Sequence, residues 1–210
     1  MKQISVIERR GEPTTFPAGE RIYMLEFSQK TRLPAHYRHW QRVVDSMLEG
    51  ISTRAPVFLM VDAGYVRAGD TPRRPGLHVD GHWVPGVSAH GTPGTPPGHG
   101  RHHLPRVQRE PDLVGGVYQL TGTGYDEAVI LATTVTGAVA YSGDYHAEYG
   151  RDGEVDREVI RGMQIVPLLA DSVWEGNAAL VHESLPATVS GYRQVVRLNV
   201  PGWTPERSAS

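Results

Sequence analysis

The chain contains no cysteine but has ten histidines, so any bound metal ion would be held by His, Asp or Glu side chains. These residue types most readily build a site of two histidines and one carboxylate, which leaves positions on Fe(II) open for substrate and oxygen. Residues two apart on a strand point the same way, with Cα atoms about 6.5 to 7 Å apart, so a His-x-Asp/Glu pair can supply two ligands. Two pairs fit, His78-Val79-Asp80 and His146-Ala147-Glu148.

The pair by itself is weak evidence. Ten histidines, each followed two positions later by an acidic residue at a frequency of 23 in 210, give about one such pair by chance. A third ligand should come from a distant strand. His182 fits, because it follows a turn at 175–177 and an apolar strand predicted over residues 178–181.

A second strand, predicted over residues 194–200, alternates in polarity from Arg193 onward. Arg193 and Arg197 fall on its polar face, whereas Val196, Leu198 and Val200 fall on the apolar one. A buried guanidinium without a partner is costly, and its planar fork matches a carboxylate. An interior face that carries two arginines therefore predicts an anionic ligand.

Together, His78-x-Asp80, a distal His182 and Arg193 eleven positions after it resemble the signature of the Fe(II)/2-oxoglutarate-dependent dioxygenases. The resemblance covers residues 78–197. It implies that His78, Asp80 and His182 bind Fe(II), and that Arg193 binds the distal carboxylate of 2-oxoglutarate, with Arg197 as the alternative anchor. It also implies O2 as co-substrate and hydroxylation of a C–H bond in a small molecule, amino acid or peptide.

His146 is the rival third ligand, because Arg157 and Arg161 follow it at the same offsets, eleven and fifteen, as the other two arginines follow His182. Spacing does not separate the two histidines. Residues 151–158 form a charge-dense run typical of a solvated turn or a helix start, whereas Arg193 opens an alternating strand. The surroundings therefore favour His182.

Glycine and proline make up 40 of the 210 residues, and short apolar runs rich in β-branched residues are separated by turn signals, for example at 142–144. The sequence predicts a mostly β, single domain over residues 1–210, folded as a sandwich or jelly roll. An amphipathic helix is predicted over residues 35–51, packed on a sheet. The resemblance implies a cupin-like double-stranded β-helix with one or a few flanking helices.

Residues 84–105 contain ten Gly or Pro and four His, which predicts a flexible insertion, either passive or a lid over substrate. The chain has no apolar run of membrane-spanning length and no apparent signal peptide, and we expect a soluble, cytoplasmic protein. A net charge of −2 gives no indication of nucleic-acid binding, although a base or nucleotide substrate stays open. The alternative functions are a cupin-type metalloenzyme without 2-oxoglutarate and a non-catalytic jelly-roll binding module.

Overall fold

The computed structural model describes residues 2–12, 15–71, 73, 75–79, 127–147 and 153–205. Within them the protein is mostly β, as predicted, with a single α-helix, α1 (Gln41–Met47). The strands of this part of the chain are β1 (Lys2–Ser5), β2 (Ile7–Gly11), β3 (Ile22–Phe27), β4 (Val57–Val66), β5 (His78–Val79), β6 (Glu127–Thr133), β7 (Ala138–His146), β8 (Gln164–Pro167), β9 (Val173–Asn177), β10 (Val181–Ser184) and β11 (Gly191–Pro201).

The strands form two antiparallel sheets. The large sheet has the order β2-β9-β6-β11-β4-β3, and the small sheet has the order β1-β7-β10-β5, with β8 also paired to β7. Most pairings join strands that are far apart in sequence. The fold therefore depends on long-range partners that local sequence patterns do not specify.

The eight strands from β4 to β11 pair in a nested order. β4 pairs with β11, β5 with β10, β6 with β9 and β7 with β8. The first and third of these pairs belong to the large sheet, whereas the second and fourth belong to the small sheet. The described strands from β4 to β11 thus pair as a two-stranded ribbon whose successive pairs alternate between the two sheets.

The predicted helix is present in a shorter form. A 3-10 helix, Ala35–Trp40, leads into α1, which ends at Met47. Its apolar side chains are buried in one cluster with the outward face of the large sheet, including Val196 and Leu198. The prediction of an amphipathic helix on a sheet is therefore confirmed, and the residues after Met47 form a turn with Gly50 at a φ of 73°.

Two predicted turns are wrong, because residues 142–144 lie inside β7 and residues 175–177 lie inside β9. At Gly176 the absence of a side chain serves packing: a Cβ there would lie 2.5 Å from Leu180 Cδ2. The predicted strand over 178–181 is also misplaced. Leu180 N donates to Asn177 O at 3.0 Å in a turn, and β10 begins only at Val181.

The sequence prediction did not include β1, β2 or β3. The segment 84–105 lies outside the described residues. Over the part that is described, no helix has the length and apolar content needed to cross a membrane.

Candidate metal centre

His78 and His182 are 104 positions apart in sequence and lie directly opposite each other. The register of β5 and β10 pairs the two residues, and their ring centroids are 4.4 Å apart with an angle of 53° between the ring planes. His78 is buried, and His182 is partly buried. The sheet thus brings together two of the three residues that the sequence predicts as metal ligands.

Backbone carbonyl groups orient both rings. The Nδ1 atom of His78 is 2.8 Å from Gly76 O, and the Nδ1 atom of His182 is 3.1 Å from Leu180 O. A ring nitrogen must carry a proton to donate to a carbonyl oxygen, so Nε2 has the lone pair in each neutral ring. Metal-binding histidines in proteins are commonly fixed in this way, with one nitrogen donating to the backbone and the other facing the metal.

The two histidines point toward the space between the sheets. His182 lies directly opposite Ala140 of β7, on the same face of the small sheet. Ala140 packs in one cluster with Trp174 and Leu131, which belong to the large sheet. Because β5 is the last strand of the small sheet, the histidine pair lies at the border of this interior space.

The predicted arginine face of β11 points into the same interior. Arg197 is paired with Leu131, so the two side chains share the face that looks toward the small sheet. Strand alternation places Arg193 on this face as well. Arg197 is 2% exposed and Arg193 is 7% exposed. Val196 and Leu198 pack on the opposite side of β11, in the cluster with the helix.

Arg193 borders a pocket of about 350 Å³ that is also lined by Arg21, Asp62, Asp70 and Thr71. Within the part of the chain that the structure describes, Arg193 Nε has no hydrogen-bond partner. Burial, together with the positive charge of Arg73, lowers the pKa of Arg193 to about 10, and the carboxylate of Asp62 opposes the shift. Arg193 is therefore a cation at neutral pH, held at some cost beside an open space.

Arg197 differs from Arg193 in its contacts. Arg197 Nε donates to Asn199 Oδ1 at 3.1 Å, and both residues are buried in the interior. Gly64 is paired with Arg193 across the strands, and a Cβ on Gly64 would meet nothing within 4 Å. The space next to Arg193 is therefore open, whereas Arg197 has an internal partner.

His146, the rival third ligand, is exposed near the end of β7 and pairs with Lys2. It is six residues along β7 from Ala140, the residue opposite His182, which corresponds to about 20 Å of strand. The structure therefore places His182, and not His146, next to His78. Asp80 and Glu148 lie outside the described residues.

Arg157 and Arg161, the arginines that follow His146, are both in ion pairs. Arg161 pairs with Glu158 at 2.8 Å, at the end of the 3-10 helix Arg157–Ile160. Arg157 pairs with Glu183 at 2.5 Å. The predicted helix start in this charged run is thus present, but one of its arginines reaches a buried carboxylate.

The sequence analysis missed this buried cluster, which consists of Tyr141, Arg157 and Glu183. Tyr141 donates its hydroxyl proton to Glu183 Oε1 at 2.7 Å. Burial of Glu183 by itself raises the pKa of its carboxyl group, but hydrogen bonds from Arg157 and Tyr141 outweigh burial, and the pKa is lowered. The available signal was an acidic residue at a position of β10 where alternation predicts an apolar side chain.

Burial and the hydrogen bond to Glu183 raise the pKa of Tyr141, and the same carboxylate raises the pKa of Arg157. All three residues thus keep their ordinary charge states at neutral pH, with the hydroxyl protonated and the carboxylate paired.

Within the described ranges no group of three His, Asp or Glu side chains is placed to hold a metal ion. His78 and His182 supply two neighbouring imidazole rings, and the third predicted ligand lies outside these ranges. Two imidazoles and one carboxylate match the donor set that Fe(II) oxygenases use. In comparisons with protein-family models, curated proteins and solved structures, the chain has no match.

Proposed function

We propose that the protein is an Fe(II)- and 2-oxoglutarate-dependent dioxygenase in which His78, Asp80 and His182 hold the iron. The observation that carries this proposal is the pair of facing histidines. Both rings have Nδ1 at hydrogen-bond distance from a backbone carbonyl, which leaves Nε2 as the lone-pair nitrogen of each neutral ring, and both lie on the face toward the interior. Two histidines with a purely structural role would not need to carry the proton on the same ring nitrogen.

The pairing of the strands supports a jelly roll of the double-stranded β-helix type. In a jelly roll, eight strands in two sheets are connected as two Greek keys. Nested pairing of β4 to β11, with successive pairs in alternate sheets, is the pattern that such a wound ribbon produces. In this fold the metal ligands come from strands of one sheet that face the other sheet, as β5 and β10 do here.

Arg193 is the proposed anchor for the distal carboxylate of 2-oxoglutarate. Its buried guanidinium borders an open pocket, and its Nε lacks a partner among the described residues, so a carboxylate would supply the missing hydrogen bonds. Arg197 lies on the same face but already donates to Asn199, which makes it the second choice.

The chain's own groups have distinct tasks in this reaction. When bound, iron and 2-oxoglutarate supply the oxidation of a substrate C–H bond by O2, most commonly its hydroxylation. The backbone carbonyls of Gly76 and Leu180 hold the ligand rings in place. Ala140, Leu131 and Trp174 form an apolar wall behind the histidine pair that excludes water. The substrate is proposed to be a small molecule, amino acid or peptide.

The experiment is an anaerobic titration of the metal-free protein with Fe(II) and then 2-oxoglutarate, monitored by visible absorption. The chelate of iron and 2-oxoglutarate should give a weak charge-transfer band. His182→Ala should abolish the band, and His146→Ala, which removes an exposed histidine far from the pair, should leave it unchanged. A protein that binds no Fe(II), or a band that survives in His182→Ala, would contradict the proposal.

The same titration identifies the alternatives. Iron binding without any effect of 2-oxoglutarate would indicate the cupin-type metalloenzyme. An absence of iron binding would leave the jelly-roll binding module.

A further inference from the structure

Strand β5, which carries His78, is only two residues long and lies at an edge of the small sheet. On one side it pairs with β10. On its other side, His78 forms an isolated antiparallel bridge with Glu154, and Val155 N donates to Leu77 O at 3.1 Å. Residues 153–157, which we call the border segment, thus cover the outer edge of β5.

The border segment is also held by side chains. Val155 is buried in one cluster with Leu77, Val79 and Val181, on the face of the small sheet opposite the histidines. At the end of the segment, Arg157 crosses this face to Glu183.

Glu183 follows His182 directly in β10, and alternation turns its side chain to the opposite face. It is 6% exposed and accepts hydrogen bonds from both Arg157 and Tyr141. Tyr141 lies on β7, the next strand of the sheet, and is itself buried. The buried carboxylate of Glu183, on β10, therefore connects the border segment to β10 and, through Tyr141, to β7.

We propose that Arg157, Glu183 and Tyr141 act as a positioning cluster for the candidate metal centre: they fasten the border segment to β10 and so fix His78 relative to His182. A two-residue edge strand has few hydrogen bonds of its own and opens readily without support on its outer side. Arg157 does not touch the metal site, so it acts through the strand that it secures. The proposal rests on the proposed iron site, and its test separates the two.

The test uses Arg157→Met, with Arg161→Met as the matched control. Both arginines are exposed and lie at opposite ends of the same 3-10 helix, but the ion-pair partner of Arg161 is the exposed Glu158 and not a buried carboxylate. Arg157→Lys keeps a positive charge that can reach Glu183. Two quantities are measured in each protein: the affinity for Fe(II) alone without oxygen, and amide hydrogen exchange of the metal-free protein.

Arg157→Met should weaken Fe(II) binding about 10-fold or more, the range found when a group that orients metal ligands is removed. Amide exchange should accelerate about 10-fold at residues 77–79 and 153–155 and stay unchanged in β4 and β11. Arg161→Met should match wild type, and Arg157→Lys should recover at least half of the lost affinity on a logarithmic scale.

Equal Fe(II) affinity in Arg157→Met and Arg161→Met would overturn the proposal. So would faster exchange spread evenly over both sheets, because this would show a loss of overall stability and not of positioning. If wild type binds no Fe(II), the proposed function fails, and exchange alone then decides whether the cluster fastens β5: acceleration confined to the two segments supports it, and unchanged exchange refutes it.

Discussion

Arg193→Met should make the ligand-free protein more stable and at the same time remove its affinity for 2-oxoglutarate. Burial lowers the pKa of Arg193 to about 10, well below its ordinary value. Each pKa unit corresponds to about 1.36 kcal/mol, so keeping this charge at neutral pH costs folding about 3 kcal/mol. Methionine needs no hydrogen bond and fills most of the same space. We expect the free energy of unfolding to rise by about 1 to 3 kcal/mol.

The assay is urea unfolding with and without 2-oxoglutarate in the metal-loaded protein. Arg21→Met is the matched control, because Arg21 lines the same pocket but its side chain is 81% exposed; its replacement should change stability by less than about 0.5 kcal/mol. With 2-oxoglutarate at 100 times its Kd, wild type should gain about 2.7 kcal/mol and Arg193→Met should gain none. Added ligand should therefore close or reverse the difference between the two proteins.

The difference in free energy of unfolding between Arg193→Met and wild type should become smaller at high pH. Because the pKa of Arg193 is lower in the folded state, the unfolded chain binds more protons above about pH 10, and the stability of wild type rises there relative to the variant. The advantage of the variant should be constant from pH 6 to 9 and shrink above pH 10. A ligand-free variant less stable than wild type would refute the reasoning, as would undiminished binding of 2-oxoglutarate.

Four further variants test other parts of the molecule. His182→Ala should abolish succinate formation and His146→Ala should not, measured as succinate released per minute; the reverse result would move the metal site. Leu198→Ala, at a fully buried position on the helix side of β11, should cost about 2 to 5 kcal/mol in urea unfolding and leave Fe(II) affinity unchanged. Replacing residues 87–103 by a short Gly-Ser turn should change thermal stability little, because loop-closure entropy varies slowly with length. It should raise succinate formed per product if the segment is a lid, and an unchanged ratio would refute that role.

Local periodicity was enough to predict the helix and strand β11, each of which has one continuous apolar face buried in the core. The 3.6-residue repeat around Trp40 predicted the helix, and strict alternation in β11 predicted both of its faces. Glycines caused the two wrong turn predictions. Gly143 and Gly176 look like turn signals, but each lies within a strand, where Met163 packs beside the first and Leu180 beside the second. A sequence does not distinguish a glycine that turns the chain from one that makes room for a neighbour.

The residue types of the candidate site could be predicted from the sequence, but which residues lie next to each other depends on the pairing of the strands. Spacing fits His146 as well as His182, and the sequence favours His182 only through its surroundings. The register of β10 against β5 is what places His182 next to His78. The cluster around Glu183 was out of reach because its three members come from three separate segments. Arg157 lies in a charged run and its side chain is 64% exposed, as a solvated residue would be, yet its guanidinium ends on a buried carboxylate.

The nested ribbon relates the histidine pair to Arg193 by a single step between neighbouring strand pairs. His78 and His182 belong to the β5·β10 step of the ribbon, and Arg193 belongs to the preceding β4·β11 step. The two connecting loops between these steps are held together, because Gly69 N donates to Ala187 O and Ala187 N donates to Asp70 O, each at 2.8 Å. Asp70 also lines the Arg193 pocket, so the pocket lies where the ribbon crosses from the large sheet to the small one. A dicarboxylate with one end on Arg193 and the other toward the histidines would span a single crossing of this ribbon.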